Sequence, residues 1–212
     1  MRTVRTKVYQ FAELSDKAKD KARAYMNENF GLTDHVYDEA AETVKKFHEI
    51  FGTKEGNSSW LDVRTGHIDD NVLELKGLRL QKYIWNNFGK YLYKGKYYSL
   101  WSNTEKSYKH YKEGHPVLKT RYSKITLDNS CVLTGVCYDN DLLDPMYDFL
   151  ERYKDKADYY SYMDFETLLT DCFKSLEKSI ENEIDSIDSD ESLKDLCEAN
   201  NYEFTQEGIF YN

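Results

Sequence analysis

A chain of 212 residues is slightly longer than an average domain, and its length favours one large domain over two very small ones. The mean hydropathy of -0.79 and formal net charge of -9 mark a polar, acidic chain, but 15% aromatics, with 19 Tyr, 10 Phe and 3 Trp, argue against disorder. Only 2 Pro and 10 Gly exclude collagen-like and linker-rich architectures.

No apolar run approaches the roughly 20 residues that span a bilayer, and the opening MRTVRTKVYQF lacks the apolar core of a signal peptide. A soluble intracellular protein that does not contact membrane is expected. The four cysteines, Cys131, Cys137, Cys172 and Cys197, form neither a CxxC nor a Cys/His ladder, which predicts free, buried thiols in a reducing compartment. His35, His48, His67, His110 and His115 are scattered, so neither a metal nor any other cofactor is expected.

The charge is strongly segregated. Residues 76–124 carry 12 basic and 2 acidic side chains, residues 125–150 carry 0 and 5, and residues 151–212 carry 6 and 17. A basic aromatic segment, 76–124, therefore precedes an acidic helical segment, 151–200. Such asymmetry speaks to partners more than to fold.

In chain order, Thr3 to Phe11 alternates and reads as a strand. Ser15 offers its side-chain oxygen to the first turn of a helix running to about Asn29, with Leu14, Ala18, Ala22, Tyr25, Met26 and Phe30 as one apolar stripe and Gly31 as its stop. A second helix from about Asp34 to Phe51 carries Val36, Ala40, Val44, Phe47 and Phe51 on one face and a partly exposed, structural His48. Ser59–Val63 and Val72–Leu75 read as strands, and Leu78–Tyr93 as a helix. Tyr97 to Trp101 suggests a strand, 102–116 a long surface loop, and Ser123–Leu127 with Cys131–Val136 a pair of strands.

Asp144-Pro145 marks the start of a short helix ending near Lys154, since proline at the first helical position gives up no needed amide. Asp164 opens a longer helix reaching Ile187. Asp188 with Glu191 has capping-box spacing for a last helix, Leu193–Ala199, and Tyr202 to Tyr211 reads as a terminal hairpin breaking at Glu207-Gly208. The expected fold is α+β: a single domain spanning 1–212, five or six helices on a small, mostly antiparallel sheet, with a C-terminal β-hairpin.

Three stretches, Tyr9 to Ala22 (YQFAELSDKAKDKA), Asp128 to Cys137 (DNSCVLTGVC) and Cys197 to Gly208 (CEANNYEFTQEG), resemble landmarks of a family of small acidic proteins encoded by bacteriophages and prophages. That family offers no catalytic residues to carry over. The resemblance implies a phage accessory protein in the cytoplasm of the bacterial host cell, for which inhibition of an antiviral defence is the expected role.

Neither GxxxxGK nor GxGxxG occurs, and Cys131 and Cys137 lie in apolar alternation rather than beside a base, so enzymatic activity is not expected. Two surfaces remain. Lys94, Lys96, Tyr97, Tyr98, Trp101, Lys109 and Arg121 mix charge with rings able to neutralise phosphates and stack on bases, as a site capturing a nucleotide second messenger would. Glu177, Glu181, Glu183, Asp185 and Asp188 form an acidic strip suited to the basic groove of a host defence protein. The leading expectation is a non-catalytic inhibitor binding such a protein, with nucleotide sequestration as the alternative. Direct binding of nucleic acid comes third, disfavoured by the net charge, and homo-oligomerisation stays open.

Overall fold

The computed structural model describes residues 6–56, 61, 63–64, 70–93, 131–153 and 155–211. They are mostly helical, with eight α-helices and two two-stranded antiparallel ladders among the described residues, more helices than the five or six expected. The chain gathers into two compact units, one of Met1–Ala40 with Lys178–Asn212 and one of Ala41–Glu177.

From Thr6 to Gln10 the backbone is irregular rather than the expected strand. Tyr9 makes one antiparallel rung with Phe204, donating to its carbonyl at 2.8 Å and accepting from its amide at 2.9 Å, and Phe11–Glu13 then turns into a 3-10 helix. Thr3, Val4 and Arg5 of that predicted strand lie outside the described residues. Alternation here ends after one rung because Phe11, 1% exposed, turns into the core instead of continuing the ladder.

Helix α1 (Asp16–Phe30) follows. Ser15 occupies the cap position with extended backbone, but its side chain makes no capping hydrogen bond; its carbonyl accepts from the amides of Ala18 and Lys19, both at 2.8 Å. Gly31 closes the helix with φ +57°. Ala18, Ala22 and Met26, spaced by four, bury one face of α1 against Phe11, Leu14, Leu193, Cys197 and Phe204. Residues 34–40 of helix α2 (Asp34–Phe51) complete this part of the unit.

The C-terminal part holds the end of a long helix, then a helix of Asp190–Asn200, then β3 (Glu203–Phe204) paired with β4 (Phe210–Tyr211), which is the expected terminal hairpin. The last helix is not capped by an Asp188–Glu191 box. Ser189 is the cap, its hydroxyl accepting from the Ser192 amide at 3.2 Å, because Asp188 is engaged elsewhere by Asn27, 2.9 Å from its carboxylate. Tyr25 stacks on Phe210 with centroids 5.2 Å apart, joining α1 to the hairpin.

In the second unit, β1 (Lys54–Glu55) pairs with β2 (Val63–Arg64); of the expected strand Ser59–Val63, Val63 lies in β2, Leu61 lies in a turn, and the other three residues lie outside the described residues. The expected strand Val72–Leu75 is instead one turn of helix, α3 (Asp70–Leu73); a short apolar run buries equally well in either form. Helix α4 (Gly77–Leu92) matches its periodicity. The predicted strands Tyr97–Trp101 and Ser123–Leu127, and the loop 102–116, lie outside the described residues.

Cys131–Val136 is not a strand. The amides of Leu133, Thr134 and Gly135 all donate to Oδ2 of Asp139, at 2.8, 2.7 and 3.0 Å, so three consecutive N–H groups converge on one carboxylate instead of alternating toward two neighbours. Oδ1 accepts from the hydroxyls of Thr134 at 2.7 Å and Thr43 at 3.0 Å. Asp139 and Thr43 are both 0% exposed. This loop leads into helix α5 (Tyr138–Glu151), which begins well before the predicted start and takes Pro145 into its interior.

Beyond α5, helix α6 (Ala157–Tyr160) is a single turn with no sequence signal, and helix α7 (Phe165–Ile187) is the long helix predicted. Rings of α2, α4 and α7 pack in sequence, Phe47 on Phe173 at 5.4 Å, Phe51 on Phe88 at 4.7 Å and Phe88 on Phe165 at 6.5 Å. His48 is half-buried beside them, its Nδ1 2.8 Å from the Thr53 hydroxyl, and burial holds its pKa below the usual imidazole value.

Candidate acidic interface

The candidate residues of the basic aromatic segment, Lys94, Lys96, Tyr97, Tyr98, Trp101, Lys109 and Arg121, all lie outside the described residues. In the described end of that segment Tyr91 is exposed, whereas Trp85 and Tyr93 pack on the chain. Trp85 stacks on Tyr93 with centroids 5.3 Å apart and 5° between planes, Tyr93 donates to Glu151 at 3.1 Å, and Tyr147 donates to the Leu92 carbonyl at 2.7 Å. Burial and the neighbouring Glu151 push the Tyr93 phenol well above its usual pKa.

The acidic candidates separate. Glu177 belongs to the second unit, whereas Glu181, Glu183, Asp185 and Asp188 belong to the first. Glu181 and Asp185, four apart and exposed, share one face of α7, while Glu183 sits about 200° round the helix from Glu181. Lys178, three residues before Glu181, interrupts that face. Asp188 is half-buried and held by Asn27, and its carbonyl accepts from Arg23 Nε at 3.0 Å, which makes it a structural group.

A second acidic row was hidden in the sequence. On helix α8 (Asp190–Asn200), Glu191, Asp195 and Glu198 follow at spacings of four and three, all exposed, opposite the buried Leu193 and Cys197. The spacing is readable in the sequence, but a helix starting at Leu193 leaves Glu191 outside it. Glu198 has a loose ion pair with Lys194 at 3.7 Å.

Two of the four basic residues of α1, Lys19 and Arg23, are engaged by Asp190, which belongs to neither row. Asp190 takes Lys19 Nζ at 2.6 Å and Arg23 Nη2 at 2.8 Å, and Arg23 Nη1 also reaches Asp20 at 2.9 Å. The hydrogen bond from Lys19 is the main reason the Asp190 carboxyl sits below its usual pKa. Counted over whole units, the first holds 9 basic and 17 acidic side chains and the second holds 20 and 21. Almost all the net charge therefore belongs to the smaller unit.

The expectation of four buried thiols is met in part. All four cysteines are free, but Cys137 is exposed and Cys131 half-buried, while Cys172 and Cys197 are buried. Burial pushes the Cys197 thiol up to about 11 and that of Cys172 higher still. In the native protein a maleimide is expected to label Cys137 fastest and to reach Cys172 and Cys197 only after denaturant is added. Mass spectrometry of a labelling time course checks this, and native labelling of Cys172 as fast as Cys137 would contradict the packing.

Among the described residues no group of three His, Cys, Asp or Glu is placed to hold a metal, and no helix is long and apolar enough to cross a membrane. No protein-family model, curated protein or solved structure matches the chain.

Proposed function

We propose that the protein is a non-catalytic inhibitor that binds a basic surface of another protein through the acidic helices of its first unit. The observation that carries this reading is the concentration of charge: 17 acidic against 9 basic side chains in that unit, with Glu181, Asp185, Glu191, Asp195 and Glu198 exposed on successive helices. A field of one sign over a small body accelerates capture of an oppositely charged partner and orients it. In the phage setting that the sequence resemblance implies, the partner is a host defence component whose basic groove otherwise receives nucleic acid.

The test is affinity capture from phage-challenged bacterial lysate with the wild type and with a variant in which Glu181, Asp185, Glu191 and Asp195 are changed to Lys. Captured proteins are identified by mass spectrometry, and binding to the purified partner is followed against salt. The variant is expected to bind at least about tenfold more weakly at low salt, mainly through a slower association rate, and the difference is expected to shrink as screening shortens to about 3 Å at 1 M salt. Equal binding by both proteins, independent of salt, would overturn the reading. Release of a nucleotide from the boiled eluate, with no partner protein, would instead support sequestration by the Lys- and Tyr-rich segment.

A further inference from the structure

The second unit contains a cavity of about 290 Å³ formed by α5, α6 and the start of α7. Its floor is apolar, with Tyr160 5%, Met163 8% and Leu168 1% exposed. Its rim carries Asp144 and Asp148 from α5 and Asp171 from α7. Tyr159, 70% exposed, stands at the mouth.

One of the chain's own cations lines this cavity. Lys156 Nζ lies 3.0 Å from Asp148 Oδ2 and 5.7 Å from the centroid of the Tyr160 ring, contacting both a carboxylate and an aromatic face. The hydrogen bond to Asp148 raises the pKa of that ammonium. Arg152 Nε also reaches Asp148, at 3.2 Å, so this one carboxylate serves two of the chain's own cations. Asp144 and Asp171 make no ion pair among the described residues.

We infer that this cavity is a binding site for a primary alkylammonium group, whose methylene stem lies on Tyr160, Met163 and Leu168 while its charge meets Asp144 and Asp171. An apolar floor beneath an acidic rim suits a cation with a hydrocarbon stem; an inorganic cation would leave the floor unsatisfied, and an anion would meet three carboxylates. Lys156 is the tethered competitor, occupying part of the same space. The site is independent of the acidic helices of the first unit. A free amine and a lysine side chain present the same chemistry to it.

The experiment is a titration of the full-length, isotope-labelled protein with n-pentylammonium, followed by backbone amide shifts. The expected result is saturable shifts confined to residues around Asp144, Met163 and Asp171, with half-saturation at or below about 1 mM, and none at those residues with 1-pentanol. Asp144→Asn and Asp171→Asn, nearly isosteric and close to the surface, are expected to weaken binding about tenfold together. Lys156→Gln is expected to tighten it severalfold. Comparison of 1,5-diaminopentane with an acetylated, amidated Gly-Lys-Gly peptide then tells a free-amine source from a side-chain source. Shifts that do not saturate, that spread over the acidic helices generally, or that survive both Asp substitutions unchanged would overturn the assignment.

Discussion

Replacing Asp139 by Ala is expected to destabilise the protein by about 4 kcal/mol, because one buried side chain accepts five of the hydrogen bonds that hold the 131–137 loop. Five donors converge on it: the amides of Leu133, Thr134 and Gly135 and the hydroxyls of Thr134 and Thr43. Removing the carboxylate leaves those donors facing each other, and the cost of unsatisfied buried groups exceeds the net worth of the bonds themselves. Asp139→Asn preserves the shape and keeps one oxygen for the three amides, but it removes the charge and turns an NH2 toward the Thr134 and Thr43 hydroxyls, so it is expected to recover only part of the loss. Thr43→Val removes one donor of the five and is expected to cost about 1 kcal/mol. Urea denaturation of the three variants measures these differences, and an Asp139→Ala variant within about 1 kcal/mol of wild type would show that water, not this carboxylate, satisfies the loop.

Gly208→Ala is expected to cost about 3 kcal/mol for a different reason. Gly208 sits in the β3–β4 turn with φ +79°, and a Cβ there would overlap the carbonyl oxygen of Ala18 and lie 2.8 Å from its carbonyl carbon. The backbone strain accounts for about 1–2 kcal/mol of this, and the rest comes from pushing the hairpin off α1, where Tyr25 stacks on Phe210. Gly52→Ala is the control, since Gly52 has a similar φ of +68° but nothing within 4 Å of its Cβ position. It is expected to show the strain alone. Thermal unfolding followed by near-ultraviolet circular dichroism distinguishes the two, and equal losses at both positions would mean that the Ala18 contact contributes nothing.

These two residues also divide what was readable in the linear chain from what was not. The apolar spacing of Ala18, Ala22 and Met26, of Val36, Ala40, Val44, Phe47 and Phe51, and of Leu80, Ile84 and Leu92 was sufficient to place α1, α2 and α4 close to their observed bounds, because a helix burying one face repeats that face every three or four residues. The same periodicity found α7, and Glu207-Gly208 located the hairpin turn. Exposed carboxylates on α7 were likewise legible, since a charged residue opposite an apolar stripe has nowhere else to point. A helix that starts at Leu193 excludes Glu191 and so hides the row on α8, and Asp188 and Ser189 both carry side-chain oxygens able to cap.

Tertiary structure alone decided the rest. Cys131–Val136 has the alternation of a strand, but Asp139, whose carboxylate also accepts from the Thr43 hydroxyl 96 positions earlier, gathers the amides of Leu133, Thr134 and Gly135 into a loop. Pro145 looks like a helix start because local rules weigh only the missing amide; packing of Leu142, Leu143, Met146 and Tyr147, each no more than 6% exposed, carries α5 through it. Asp190 reads as a free surface charge until the fold brings Lys19 and Arg23 to it. The bonds of Thr43 to Asp139 and of Lys19 and Arg23 to Asp190 join residues more than 90 positions apart, and local periodicity carries no information at that distance.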